Sequence, residues 1–116
     1  MSKPLLYKIM FFTCLGVIEF LATTTIHIEA VEFMWDKSNH FIAFFVLYVL
    51  LSLAYQNFST LLKAVLLLAF GMQIEIVQSF IDGRYFSMLD VVADSIGIAL
   101  GIVGYKYGVS KVKILR

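Results

Sequence analysis

Eight side chains in this 116-residue chain are of types that do chemistry, and they fall in four small groups: Asp36, Lys37 and His40; Glu75 and Gln78; Arg84; and Asp90 with Asp94. Histidine is the side chain whose ordinary pKa lies nearest neutrality, so His40 is the natural acid/base among them. Asp36 lies four residues before it and would share its helical face. Glu75 and Gln78 are three apart, again one face, and a pair aimed inward could orient or deprotonate a nucleophile. Arg84 follows the turn signal Asp82-Gly83, and a guanidinium there can grip a phosphate through two parallel hydrogen bonds. Asp90 and Asp94, one turn apart, could position His40, Arg84 or a water. His40, Glu75, Asp36 and Asp94 therefore form the expected catalytic group, and Arg84, Lys37, Gln78 and Asp90 the expected substrate-binding group.

Each residue also has a plainer reading. Glu75 could sit at a wet helix end, Asp90 could cap a helix and complement its dipole, and His40 could be merely interfacial. Arg84 could be an anchor in an aromatic belt with Tyr85 and Phe86. Glu19, with Gly16 and Thr23 on its face, is a weaker candidate. His40 with Asp36, Glu75 and Asp90 offers nitrogen and oxygen ligands, but no two-histidine helical motif or cysteine pair accompanies them, so no metal and no cofactor is expected.

The elements that must hold these residues are apolar. The chain is 61% hydrophobic and 15% charged, with mean hydropathy +0.92, far from the usage of soluble domains. A spanning helix needs about 20 mostly apolar residues, and four segments approach this: 7–26, 40–55, 61–80 and 90–107. The second is short, so its polar ends must lie in the interface or its neighbours must cover the shortfall. Brief links suit antiparallel neighbours, and the expected fold is all-α, a single domain over 1–116 built as a bundle of four transmembrane helices. A cleaved signal is the alternative for the first segment, with Lys3 and Lys8 ahead of the apolar run, but that run is long for one and no small-x-small site follows.

Seven of the nine Lys and Arg residues (Lys3, Lys8, Lys63, Lys106, Lys111, Lys113 and Arg116) would share one side, against Lys37 and Arg84 on the other. By the positive-inside rule both termini are then cytoplasmic in a multi-pass protein, whose membrane in a bacterium would be the inner one, and the polar groups open outward. On the fourth segment Asp90, Asp94, Gly97, Gly101, Gly104 and Gly108 recur at spacings of four and three, which forms one stripe. Glycines so placed let a neighbouring backbone approach closely and would turn both carboxylates toward the bundle interior. A net charge of +1 with no basic recognition element excludes nucleic acid. The single Cys14 excludes an intrachain disulfide. Nearly unbroken apolar stretches at 47–53, 66–70 and 98–103 argue against a transport path and for a one-sided pocket.

Four pieces in order resemble the VanZ-like family of small bacterial membrane proteins, together covering over half the chain: Trp35-Asp36-Lys37-Ser38-Asn39-His40 with the Phe-Ile-Ala-Phe-Phe run after it; Gly71-Met-Gln-Ile-Glu75-Ile-Val-Gln78; Gly83-Arg84-Tyr-Phe-Ser; and Asp90-Val-Val-Ala-Asp94-Ser-Ile-Gly97. The family pattern usually has asparagine where this chain has Asp94. The family is named for low-level resistance to the glycopeptide teicoplanin, and its biochemical activity is generally unassigned. The resemblance implies a membrane protein of the cell envelope, and lipid-active roles proposed for such proteins agree with the residues. Two readings follow: a protein that binds or acts on a membrane lipid or lipid-linked phosphate, or a non-enzymatic accessory or scaffold protein with a membrane-protein partner or a second copy of itself. The first reading admits an enzyme or a binding protein, and the second is non-enzymatic.

Overall fold

A computed structural model describes residues 2–23, 37–80 and 88–112. Among the described residues there are four helices, α1 (Lys3–Thr23), α2 (Lys37–Ala54), α3 (Thr60–Gln78) and α4 (Met88–Tyr107), with a 3-10 turn at Val109–Lys111. Apolar runs mark what can cross hydrocarbon, whereas the helices extend as far as their ends can be capped. For that reason α1 starts four residues before the expected span: Ser2 Oγ accepts the Leu5 N–H at 3.3 Å. Pro4 also fits the first turn, where no intrahelical N–H bond is needed. Ser59 caps α3 in the same way, accepting from Leu62 N at 3.1 Å. At its other end α3 stops at Gln78, two residues short of the expected limit, with Ser79 as C-cap.

Three helices are long and apolar enough to cross a membrane: α1, α3 and α4; the apolar part of α2, His40–Ala54, is shorter. The structure resolves that shortfall by placing α2 in the middle. Phe44, Leu47, Tyr48, Leu50, Leu51 and Leu53 are all buried. The outer helices instead expose Leu5, Phe12, Phe20, Leu61, Val65, Leu100 and Val103, a surface that suits lipid and would be unfavourable in water. Because lipid is as apolar as leucine, burial alone does not hold such helices together. Close packing and interhelical hydrogen bonds must do so.

Close packing comes from the glycine stripe of α4 against α2. A Cβ on Gly97 would stand 2.6 Å from the Phe41 carbonyl oxygen, one on Gly101 2.7 Å from Tyr48 Cβ, and one on Gly104 2.9 Å from Phe45 Cε2. The small-residue spacing thus does what its pattern predicts, bringing two helices nearer than any side chain would permit.

Facing α4, one stripe of α2 runs His40, Phe44, Tyr48, Ser52, each one turn from the last and each buried. The matching face of α3 carries Lys63, Leu67, Gly71, Glu75 and Gln78. The bundle core is therefore polar at both ends and apolar between them. At one end Lys63, only 5% exposed, donates to Ser52 Oγ at 2.8 Å. Its ammonium lies 4.8 Å from the Tyr48 ring centre and 5.1 Å from that of Tyr105, so two aromatic faces and a hydroxyl solvate the charge. Helix rise puts His40 about 18 Å further along α2.

Candidate functional site

His40 occupies the first turn of α2 and is buried. Its Nδ1 lies 2.6 Å from Asp94 Oδ1 on α4, a charge-assisted hydrogen bond in which the ring N–H donates to the carboxylate. Its Nε2 lies 3.8 Å from Asp90 Oδ2. Because Asp90 and Asp94 are one turn apart on α4, the imidazole spans the gap, one nitrogen toward each acid. From α3, Glu75 completes the group: one ligand atom each from His40, Glu75 and Asp90 lie within 4.8 Å of one another.

Local sequence explains each placement. Asp94 is buried yet fits because α3 has no side chain opposite it: a Cβ on Gly71 would stand 2.5 Å from Asp94 Oδ2. Glu75 follows Gly71 by one turn and so points into the same space, fully buried. That overturns the plainer reading of Glu75 as a wet helix end. Asp90 lies in the first turn of α4, where the helix dipole favours a carboxylate. It faces His40 with its side chain 22% exposed, and is the least buried of the four.

Gln78 is buried beside Glu75, and its Nε2 donates to the Ala22 carbonyl oxygen at 2.6 Å, tying α3 to the last turn of α1. Lys37 opens α2. Asp36 and Arg84 lie outside the described residues. Glu19 accepts from Gln73 Nε2 at 2.8 Å, a second tie between α1 and α3 and separate from the His40 group.

Three residues that the spacing patterns do not single out take part in the packing, one in the His40 group and two elsewhere. Gly71 makes the room for Asp94. Gln73 ties α3 to α1 through Glu19. Lys63 entered only as a positive charge for orientation, although a lysine in the first turn of a helix opposes the dipole and is a signal that something specific holds it.

Two cavities are described, and both are apolar. One of about 340 Å³ lies between α1, α2 and α3, with Phe11, Leu15, Leu51, Phe58 and Phe70 in its wall; the other, about 280 Å³, lies between α1 and α2 beside Cys14 and Ala43. The polar group adjoins neither; Asp90 is its more accessible edge. Between it and the Lys63 end lie buried Phe44, Leu47, Leu67 and Ile98, so the described core offers no polar route from end to end.

Among curated proteins and among solved structures, none matches the chain. The family model described as VanZ/LLP1 matches residues 5–112, which takes in all four helices and every described member of the polar group. The chain therefore belongs to the VanZ/LLP1 family.

Proposed function

We propose that this protein binds, and acts on, a phosphate-bearing lipid head group or lipid-linked cell-envelope intermediate. The observation that carries the reading is a buried imidazole held between two carboxylates one turn apart, with a third carboxylate beside it, at one end of an otherwise apolar core. Burying such groups among lipid-facing helices is unfavourable, and intramembrane ionisable residues are by default functional. The Lys and Arg distribution supports a multi-pass inner-membrane protein with cytoplasmic termini and this end outward.

In this reading Lys37 and Arg84 hold the phosphate, and His40, its Nδ1 anchored by Asp94, presents Nε2 to give or take a proton. Glu75 orients or deprotonates the attacking group. Asp94 fixes the imidazole, Asp90, across from Nε2, positions Arg84 or a water, and Asp36 belongs to the same catalytic group. Gln78 donates its amide N–H₂ to the Ala22 carbonyl, and so steadies α3 one turn from Glu75.

The scaffold reading draws on the same contacts, since His40–Asp94 joins α2 to α4 and Gln78–Ala22 joins α3 to α1. The two separate under substitution. Protein carrying His40→Ala or Glu75→Gln is reconstituted into vesicles containing a lipid monophosphate, with zwitterionic vesicles as control. Loss of lipid binding or turnover at undiminished membrane abundance supports the head-group reading. Unchanged lipid behaviour with lowered abundance and melting temperature refutes it in favour of the scaffold.

A further inference from the structure

We infer that His40 Nε2 and the carboxylates of Glu75 and Asp90 form a binding site for one divalent transition-metal cation, of the class of Zn²⁺ or Mn²⁺, with Asp94 as the residue that positions the imidazole.

Three different helices contribute the donors, α2, α3 and α4, and their ligand atoms lie within 4.8 Å of one another. Ligands sharing one ion at bonds of about 2.0–2.2 Å stand roughly 3.0–3.7 Å apart. The 3.8 Å between Nε2 and Asp90 Oδ2 is close to that spacing and too long for a hydrogen bond. Small rotations of two carboxylates close the remainder without moving a helix.

The imidazole is also set as metal-bound imidazoles are. A ligating histidine almost always gives its other ring N–H to a carboxylate or carbonyl, which fixes the tautomer and aims the remaining lone pair. Here Nδ1 meets Asp94 Oδ1 at 2.6 Å, and Gly71 leaves the space that lets Asp94 reach it. With the proton on Nδ1, the Nε2 lone pair and the two carboxylates are the donor types that a divalent cation takes, drawn together from three helices. Nitrogen in the set selects against Mg²⁺ and Ca²⁺, which prefer oxygen alone, and toward Zn²⁺ or Mn²⁺. Asp90, the most exposed of the three, supplies the way in.

What the ion would do rests on the head-group reading. A phosphate approaching three carboxylates meets like charge; an ion with open positions would take the phosphate oxygens instead. The Nε2 lone pair serves either the ion or a proton, so in the ion-loaded protein His40 is a ligand and water on the ion becomes the acid/base.

The test uses the full-length protein in detergent, stripped with a chelator, titrated with Mn²⁺ by electron paramagnetic resonance and with Zn²⁺ by calorimetry. One equivalent should bind, at least tenfold more weakly in Asp90→Asn and in His40→Ala, and about 10–100-fold more weakly in Asp94→Asn. Glu19→Gln, at the separate α1–α3 tie, should bind as the wild type does. Asp90→Asn, at a partly exposed position, keeps the test decisive if His40→Ala fails to fold. Absence of stoichiometric binding, or equal affinity in wild type and Asp90→Asn, overturns the site. Lipid retention is read in parallel, in the stripped protein and after the ion is restored: retention with no ion binding in the titration removes the ion and leaves the head-group reading intact, and stoichiometric ion binding with no lipid retained in either state does the reverse.

Discussion

Replacing Gly97 by alanine should weaken the bundle, although the same change at Gly16 should strengthen it or leave it unaltered. Alanine is favoured over glycine in a helix interior by about 0.8–1.0 kcal/mol, and both positions receive that gain. At Gly16 a new Cβ meets nothing within 4 Å. At Gly97 it meets the Phe41 carbonyl oxygen at 2.6 Å and Phe44 Cβ at 3.1 Å, whereas ordinary contact begins near 3.4 Å. Phe41 O is main chain and cannot swing aside, so α2 and α4 must separate by several tenths of an ångström along a seam that Gly101 and Gly104 also keep tight. Overpacking of this kind costs about 1–3 kcal/mol. Set against the propensity gain, Gly97→Ala should lie about 1–3 kcal/mol below Gly16→Ala. At about 3–5 °C per kcal/mol for a chain of this size, that is on the order of 3–15 °C in detergent melts. Gly71→Ala is the third arm. Its Cβ would meet the far end of a side chain, Asp94 Oδ2 at 2.5 Å, which can turn away. The lost hydrogen bond to His40 costs about 1 kcal/mol and the gain in helix propensity offsets it, so melting should change little while the ¹⁵N resonances of His40 shift. Equal melting of the Gly16 and Gly97 variants, or an unperturbed His40 signal in Gly71→Ala, would refute the packing on which the site depends.

Other substitutions test the remaining polar contacts. Ser52→Ala should lower stability by about 1–2 kcal/mol, since it removes the hydroxyl that receives the buried Lys63 ammonium. Lys63→Met should be neutral or stabilising in the same thermal melts, because an apolar chain of similar length removes the buried charge altogether. Gln78→Leu should free the Ala22 carbonyl and, at about 1 kcal/mol, speed amide hydrogen exchange in the last turn of α1 while α2 and α4 keep their protection.

Periodicity carried the architecture well where one residue type dominates a face. Asp90, Asp94 and the glycines after them share a stripe, and that stripe alone implied that α4 packs closely and turns its acids inward, as the approach of Gly97 to Phe41 and Gly101 to Tyr48 and the burial of Asp94 bear out. The inward aim of Glu75 was likewise legible from its spacing to Gln78. Partners across helices were not legible, because spacing within one helix says which face a residue shares but not what lies opposite. The Gln78–Ala22 and Glu19–Gln73 bonds join residues more than fifty positions apart. Lys63 was hidden for another reason: a lysine near a helix end normally snorkels to the interface, and the Ser52 hydroxyl with the rings of Tyr48 and Tyr105 lets it remain buried. Helix limits were displaced wherever capping, rather than hydropathy, sets them, as at Ser2 and Ser59.

The most direct measurement is native mass spectrometry with lipid identification, comparing wild-type protein with Arg84→Ala and His40→Ala after gentle extraction. The head-group account predicts that the wild type retains one phosphate-bearing lipid class and that Arg84→Ala loses it, with His40→Ala altering the species retained. Equal, unselective lipid retention by all three proteins would contradict it.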